Sequence, residues 1–429
     1  MKWTKKMIIN LFMALQYDAC VALSRFSNSY SNNRRLGKIH LSFNKVGFVI
    51  KRMKELGLIT DHGGFHDPNN PDNSRVYIIK ATQVLKYRLA NISPSLGYKE
   101  FAHEPITMRD CDKKNIAYTD IIATHEWRQQ MRHINKMYEG SVIDLSMTSD
   151  QLHELNVSIK LAKLHEKQYA NNTYGRTSFN NRIFLHRKYL VRVFNRGKWS
   201  NGGRMYGGWW QNVPKKCRHS ITIDGEDTIE LDFDNFHPQI LYLKKTGHPF
   251  VGDVYTLKRY AGNLAMRKII KMAMLILINA QSEDAAEYSI NETIDKIRKD
   301  YPEEMAKVNR LEDELAIKFI KEAHPVIADS FGSDAGISLM NTDSKIAVRV
   351  VLALSKEGIV ALPVHDSFIV QARHEDRLRE VMTQAFQFIM KDHIPAGAAI
   401  TPGISRKEKE DSLTMELDDY DYGNTGFCL

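Results

Sequence analysis

Two apolar runs in the C-terminal part of the chain are separated by a short polar segment, His365-Asp366-Ser367. Residues 358–364 and 368–370 are apolar and largely β-branched, and their close spacing predicts an antiparallel hairpin. Glycine and asparagine, the usual residues of tight hairpin turns, are missing from the turn. A polar pair wedged between such strands predicts that Asp366 is presented at the tip for chemistry; an ordinary solvent-exposed turn is the alternative.

A second strand is predicted from the alternation of apolar and polar residues between Thr228 and Asp234. Glu230, Asp232 and Asp234 then share one face of this strand. Three carboxylates on one face repel each other unless a cation lies among them. The pattern therefore indicates a metal-binding strand, and an exposed edge strand is the alternative.

Between these two segments the sequence predicts a long helix from Arg267 to Ala280. Arg267 and Lys271 are four residues apart and lie on one face, and Asn279 follows two turns later. Two cations one turn apart suit a triphosphate, since arginine can fork onto phosphate oxygens and lysine acts as a point charge. The alternative is an ordinary solvated face opposite a core face, which is formed by Ile270, Met274, Leu277 and Ile278.

The order of acidic strand, cationic helix and His-Asp hairpin resembles motifs A, B and C of the family A DNA polymerases, whose superfamily includes the single-subunit RNA polymerases. Two further segments fit the same order. Gly203-Arg204 followed by Gln211-Asn212 is similar to the segment before motif A, and Leu339-Met340-Asn341-Thr342 is similar to the helix before motif C. The resemblance covers roughly residues 200 to 375.

This resemblance implies an α+β right-hand polymerase, with an antiparallel palm sheet, small helical fingers and a helical thumb. It implies two Mg²⁺ ions, with Mn²⁺ as a substitute, held by Asp232, Asp366 and the backbone carbonyl of Phe233. Arg267 and Lys271 would neutralise the incoming triphosphate, and Lys271 would also protonate the leaving pyrophosphate. The implied activity is DNA-directed nucleotidyl transfer on a DNA primer–template with dNTPs.

The resemblance also implies further binding residues. His237 and Asn279 would line the nucleotide site, and His365 would help to place the primer end. Contacts with the primer–template would come from Arg204, Gln211, Asn212 and Asn341.

The sequence departs from the family around the sugar. DNA-synthesising members commonly have glutamate and tyrosine where this chain has His237 and Asn279, and their motif C continues with glutamate where this chain has Ser367. In those members the glutamate and the tyrosine together exclude a ribose 2′-hydroxyl. Because this pair is missing here, we hypothesise ribonucleotide use, including primase activity. The segment upstream of these motifs is too short to hold a proofreading 3′–5′ exonuclease as well, so we predict no such activity. The compactness of the polymerase-like part suits a phage or mobile genetic element.

The rest of the chain divides into candidate regions. Residues 1–90 predict a winged-helix-like module, in which a helix with Lys45, Lys51, Arg52 and Lys54 precedes two strands and a polar loop; an amphipathic helix packed on a hairpin is the alternative. Residues 91–200 predict a basic, helical, thumb-like region, including a helix over 181–194. Residues 201–400 predict palm and fingers, and 401–429 an acidic tail disordered in isolation.

Aromatic residues interleave with the cations of the basic region, which suits a surface that grips nucleic acid. A helical bundle whose core holds the aromatics, with a solvated basic face, is the alternative. The aromatic residues are Tyr169, Tyr174, Phe179, Phe184, Tyr189, Phe194 and Trp199.

Composition narrows the class of protein. The 429 residues carry a formal net charge of +9, which favours a polyanionic partner. Four cysteines far apart in the chain predict neither a zinc site nor a disulfide framework, and a cytoplasmic location without a membrane partner is expected. An accessory replication protein is a further expected partner. Two alternative functions stay open: a non-catalytic DNA-binding replication or regulatory protein with a polymerase-like scaffold, and a metal-dependent nuclease.

Overall fold

The computed structural model describes residues 2–15, 20–23, 43–64, 77–90, 104–169, 183–300, 302–306, 308 and 315–407. This part of the chain is mixed α+β, with two separate hydrophobic cores and three sheets. Within it, no helix combines the length and the apolar character needed to cross a membrane.

The smaller core belongs to the N-terminal residues. Its elements are α1 (Lys2–Leu15), β1 (Val21–Leu23), α2 (Phe43–Glu55), β2 (Ile59–His62), β3 (Tyr77–Ala81) and α3 (Gln83–Leu89). The strands form an antiparallel sheet of order β1-β3-β2. Helix α2 buries Val46, Val49, Ile50 and Met53, because these residues recur at helical spacing. The predicted helix followed by two strands is confirmed, and the assignment as a winged helix stays a prediction.

The next region is not purely helical. It contains β4 (Ile106–Arg109), β5 (Asn115–Ile116), α4 (Ile122–Gly140), β6 (Ile143–Leu145), α5 (Ser149–Tyr169), β7 (Val191–Phe194) and β8 (Gly202–Tyr206). The helix predicted over 181–194 is wrong in its described part, because Val191–Phe194 is a strand. It lies between β4, to which it is parallel, and β8, to which it is antiparallel. These long-range pairings, which a local pattern does not show, decide its conformation.

Aromatic residues of this region form core rather than surface. Phe194 is fully buried and stacks on Trp127 with ring centroids 4.8 Å apart, while Trp199 meets both rings edge-on. The prediction that aromatic residues form a nucleic-acid-binding surface is therefore wrong for Phe194 and Trp199. Burying their apolar rings in the core stabilises the fold more than exposing them would. Phe184 lies under the Arg187 guanidinium at 4.6 Å, and Tyr174 and Phe179 lie outside the described residues.

The remaining elements complete the larger core, to which the preceding region also contributes. They are β9 (Ile221–Ile223), β10 (Glu226–Phe233), α6 (Phe236–Thr246), α7 (Leu264–Asn279), α8 (Glu283–Asp300), α9 (Pro302–Met305), α10 (Ala316–Ala323), α11 (Ala335–Lys356), β11 (Leu362–Val364), β12 (Ser367–Gln371), α12 (Glu375–Met390) and β13 (Ile404–Arg406). Strands follow the order β11-β12-β10-β9-β6, and β13 also pairs with β10. Helix α11 packs on β8 and on α12. Strand β10 is therefore the strand on which the hairpin, β9 and β13 all meet.

The C-terminal segment corrects another prediction. Disorder was expected from residue 401, yet residues 401–407 are described and include strand β13. This short strand pairs with Leu231, Asp232 and Phe233 of β10. The partners of its backbone hydrogen bonds therefore lie in a distant part of the chain, which the composition of residues 401–407 does not indicate. The acidic residues from 408 onward lie outside the described residues.

Tyr138 of α4 connects this helix to the strand before the predicted motif C. Its buried hydroxyl donates a hydrogen bond to the Ala361 carbonyl at 2.6 Å. We expect Tyr138→Phe to lower the free energy of unfolding by roughly 1–3 kcal/mol, because the buried carbonyl loses its partner. Urea unfolding followed by tryptophan fluorescence measures this loss. The matched control is Tyr288→Phe, since that ring is 64% exposed; an equal loss in both variants would contradict the prediction.

Candidate active site

Strand register brings the two predicted metal-binding aspartates together. In the antiparallel pair of β10 and β12, Asp232 is opposite Ser367, the residue that follows Asp366. Val364 and Ser367 are partners across the hairpin, so its turn consists of His365 and Asp366 alone. The predicted hairpin with Asp366 at its tip is confirmed. His365 adopts a left-handed backbone with φ +59°, which the first residue of such a two-residue turn requires and which costs free energy for a residue other than glycine.

The electrostatics of this pair show how close the carboxylates are. Burial and the negative charge of Asp232 raise the pKa of the Asp366 carboxyl well above its usual range, and Arg204 acts in the opposite direction. Oxygen Oδ1 of Asp232 is buried, and no described residue hydrogen-bonds to it. Two neighbouring carboxylates with an unsatisfied oxygen fit a divalent cation, which would relieve both the repulsion and the unsatisfied acceptor.

The donor set suits Mg²⁺ better than a metal held entirely by protein side chains. No group of three or more His, Cys, Asp or Glu residues in the described ranges is arranged to hold a metal ion. Mg²⁺ usually takes one or two carboxylates and completes its octahedron with water and substrate phosphates. Asp232 and Asp366 meet that requirement, and the backbone carbonyl of Phe233 as a further ligand stays a prediction.

The other two carboxylates of the acidic strand have partners elsewhere. Glu230 is buried, 3.0 Å from the Arg218 guanidinium, and accepts a hydrogen bond from the Ser367 hydroxyl at 2.5 Å. Asp234 accepts a hydrogen bond from the Ser405 hydroxyl at 2.6 Å. Of the three carboxylates predicted on one face, Glu230 and Asp234 are bound by other side chains. Asp232 is the one that faces Asp366.

A buried ionic cluster lies behind the pair. Both carboxylate oxygens of Asp343, on α11, bind the Arg204 guanidinium, with each oxygen 3.1 Å from Nε. Nε2 of His237 is 2.8 Å from Asp343 Oδ2. Burial alone would raise the pKa of Asp343, but Arg204 and His237 outweigh it and hold that pKa below its ordinary value. Arg204, predicted to contact the primer–template, is 7% exposed and bound to Asp343.

A glycine permits this arrangement. Gly203 has φ +92°, and a Cβ atom there would lie 2.9 Å from the Phe194 ring and 3.0 Å from the Ser344 hydroxyl of α11. Such contacts leave no room for a side chain, so glycine lets β8 approach α11 closely. This approach brings Arg204 within reach of Asp343.

The other predicted primer–template residues use polar groups on nearby backbone. Gln211 donates to the carbonyls of Met205 and Pro363 at 2.9 and 3.0 Å. The buried Asn341 amide donates to the carbonyls of Trp199 and Gly202. Asn212 ends the short 3-10 helix Trp209–Asn212. For these residues and His365, contact with a primer–template stays a prediction.

Helix α7 carries the predicted phosphate clamp. Nε of Arg267 lies 2.5 Å from Asp253 Oδ2, and the guanidinium is 5.7 Å from the centre of the Tyr255 ring. Lys271 follows one turn later with a half-buried side chain. Asn279, in the last turn, donates to the Leu275 carbonyl at 2.7 Å within its own helix.

Tyr255 connects the helix to the carboxylates. It is 5% exposed, and its pKa is raised by burial and by the negative charges of Asp366, Asp253 and Asp232, while Arg267 acts in the opposite direction. The guanidinium of Arg267 and the aspartate pair thus act on the same buried tyrosine from opposite directions.

A cavity of about 480 Å³ lies beside these groups. It is bounded by Arg267, Asp253, residues 233–236 after the acidic strand, and residues 400–403 before β13. This volume is in the range of pockets that take small-molecule ligands.

Sequence reasoning missed four residues of the site: Tyr255, Asp253, Asp343 and Lys407. Asp343 had a visible signal, because it is a charged residue on the helix face that also carries Leu339 and Ile346, both buried. Nothing local marked Tyr255 or Asp253, which come from the loop between α6 and α7. Lys407, whose ammonium is 2.5 Å from Asp232 Oδ2, lies in the segment predicted to be disordered.

Comparison with known proteins gives a limited result. No protein-family model matches the chain, and no curated protein matches it significantly. Among solved structures the chain is similar to the polymerase domain of Pol1 from M. smegmatis, solved in complex with DNA primer-template and dNTP. The sequence identity is 14%, the TM-score is 0.28, and the alignment covers 65% of this chain and 65% of that one. These matches assign no family to the chain.

We expect Asp343→Asn to lower the free energy of unfolding by roughly 3–5 kcal/mol, because it leaves the buried Arg204 charge without its counter-ion. Since the pKa of Asp343 is lowered in the folded protein, its stabilisation is complete above the ordinary value of 3.8 and is lost as pH falls below it. The difference between wild type and variant should therefore be present in urea unfolding at about pH 8 and about pH 5.

The control is Asp329→Asn, which removes an exposed ion pair with Lys245 and should change stability far less. Equal effects of the two substitutions, or a difference that is already absent at about pH 5, would contradict the assigned role of the buried pair.

Proposed function

We propose that the protein catalyses template-directed nucleotidyl transfer, as a DNA polymerase without a proofreading exonuclease. One observation carries this proposal. One cavity is bounded both by the Arg267 and Asp253 pair and by residues 233–236, which directly follow Asp232 of the strand that pairs with the Asp366 hairpin. A metal site beside a phosphate-binding cation, next to a cavity of ligand size, suits a nucleoside triphosphate that reacts at its α-phosphate.

Asp232 and Asp366 would hold Mg²⁺ in this proposal. The chemistry that two bound ions supply is activation of the primer 3′-hydroxyl and screening of the triphosphate and pyrophosphate charge. The protein contributes the fixed separation of the two carboxylates, because strand β10 and the hairpin are hydrogen-bonded to each other. This rigid support favours a catalytic role over that of a scaffold, which has no need to hold like charges together.

Arg267 would bind the triphosphate. Its present partner, Asp253, is held by the Tyr255 backbone N–H and the Thr256 hydroxyl, so the ion pair keeps the guanidinium at the edge of the cavity. A triphosphate offers more negative charge than one carboxylate and would compete for the same guanidinium. Lys271, one turn along the helix, would bind the same phosphates and donate a proton to the leaving pyrophosphate.

The remaining assignments extend this proposal. Residues 201–400 would form palm and fingers, 91–200 a thumb-like region, and 1–90 a winged-helix-like DNA-binding module. Arg204 would contribute to primer–template binding by keeping His237 and Asp343 in place near the aspartates. His365, in the hairpin turn beside Asp366, would help to place the primer end. An accessory replication protein would compensate for such small fingers.

The decisive experiment is primer extension with Mg²⁺ by wild type, Asp232→Asn and Asp366→Asn. We expect both variants to lose extension by ~1000-fold or more while DNA binding is retained, because several kcal/mol of charge stabilisation are removed and each 1.4 kcal/mol is tenfold. The matched control is Asp227→Asn, an exposed carboxylate on the same strand, which should extend primers like wild type.

Other outcomes separate the alternatives. DNA binding without extension under any template condition would favour a non-catalytic replication or regulatory protein. Shortening of the labelled strand that depends on Asp366 would favour a metal-dependent nuclease.

Ribonucleotide tolerance is the finer part of the proposal. His237 stands where a gate against the 2′-hydroxyl is expected, and its ring is bound to Asp343 rather than free to close on a sugar. We expect single-nucleotide incorporation with matched dNTP and rNTP to show less than the discrimination of a gated polymerase. A gated site fills the space that the 2′-hydroxyl would occupy, so an rNTP meets a clash that a dNTP does not. A strong preference for dNTPs would rule the hypothesis out.

A further inference from the structure

Lys407 places a cation on the carboxylate that the proposed metal needs. Its ammonium nitrogen lies 2.5 Å from Oδ2 of Asp232, and the two side chains are 32% and 20% exposed. An ion pair this sheltered from water is stronger than one at the surface, because solvent screens it less. Lys407 therefore neutralises Asp232 directly.

The backbone holds Lys407 in this position. Strand β13 pairs with β10, with Ser405 opposite Asp232 and Arg406 opposite Leu231. The Lys407 N–H then donates a hydrogen bond to the Glu230 carbonyl at 2.9 Å. The backbone of Lys407 is thus hydrogen-bonded to the strand that carries Asp232, which keeps the lysine side chain within reach of that carboxylate.

Neighbouring cations have other assignments. Arg204 is bound by Asp343, and Arg218 is bound by Glu230. Lys407 is a cation in direct contact with Asp232, at 2.5 Å from Oδ2, and it therefore acts on the metal site as a positive charge.

We propose that Lys407 is a tethered counter-cation of the metal site, which holds Asp232 until a divalent cation displaces it. This inference rests on the proposed function. It makes the C-terminal strand a positioning element that sets how much divalent cation the protein requires. A lysine suits this role because its single charge sits on a flexible four-carbon stem, whereas an arginine would grip the carboxylate with two hydrogen bonds.

A polar groove of about 380 Å³ adjoins Lys407. Its lining is largely cationic, with Lys215, Lys216, Arg218 and Arg406, and its carboxylate, Glu230, is already paired with Arg218. Leaving Asp232 therefore does not require the ammonium to enter an apolar environment.

The test is Mn²⁺ binding to the full-length protein, followed by electron paramagnetic resonance of the free ion. We expect Lys407→Met to bind Mn²⁺ about tenfold more tightly than wild type, a change of about 1.4 kcal/mol, because no ammonium competes for Asp232. Lys407→Arg should bind no more tightly than wild type. The matched control is Lys216→Met, an exposed lysine of the same groove, which should leave the affinity unchanged.

Thermal unfolding gives a second, independent measurement. In EDTA, Lys407→Met and Lys407→Gln should both unfold at a lower temperature than wild type, because the lysine charge no longer offsets the repulsion between the two aspartates. Saturating Mg²⁺ should remove most of that difference. A deficit that persists in Mg²⁺ would show a purely structural lysine and overturn the inference.

The metal measurements distinguish the two levels of the proposal. If Asp232→Asn abolishes Mn²⁺ binding but Lys407→Met leaves the affinity at or below that of wild type, the role of Lys407 is refuted and the proposed function stands. If Asp232→Asn has no effect on Mn²⁺ binding in the wild-type background, the metal site itself is refuted, and the role of Lys407 with it.

Discussion

Repulsion between Asp232 and Asp366 is the constraint around which the larger core is organised. Two unit charges about 4 Å apart repel by ~4 kcal/mol at the effective dielectric constant typical near a protein surface. The chain meets this cost with strand pairing, since Asp232 is opposite Ser367 in a ladder that several strands share. It also supplies opposing charge from Lys407 and Arg204, which lie in distant parts of the sequence. Groups held together at such a cost are typical of functional sites.

Pairing decides which carboxylates remain for chemistry. Six acidic side chains belong to the candidate site: Glu230, Asp232, Asp234, Asp253, Asp343 and Asp366. Arginines bind three of them, Glu230, Asp253 and Asp343, and Asp234 accepts a serine hydroxyl. The exchangeable charges are then on Asp232, whose partner is a flexible lysine, and on Asp366, whose pKa is raised. The two aspartates of the proposed metal site are thus distinguished by the pairing of their acidic neighbours rather than by a special property of their own.

Several elements were predictable because their signals are local. The α7 helix, the His-Asp hairpin and helix α2 follow from residue spacing alone, since a buried face repeats with the period of the backbone. Strand β7 was predicted as helix because Arg192, Val193 and their neighbours carry no clear alternation, and their conformation is set by β4 and β8 on either side. The prediction of disorder for residues 401–407 is wrong for the same reason. Strand β13 is ordered by backbone hydrogen bonds to β10, which the local composition does not indicate.

The sequence by itself marked Asp232, Asp366, Arg267 and Lys271 as candidate site residues and determined the local elements that carry them. Only the tertiary structure decided how their charges are balanced: Asp343 on Arg204, Asp253 on Arg267 and Lys407 on Asp232. The physical reason is one of range. Backbone periodicity acts over a few residues and can be read along the chain. An ion pair instead forms between side chains that sheet register and helix packing bring together, and in two of these three pairs the partners are more than a hundred residues apart.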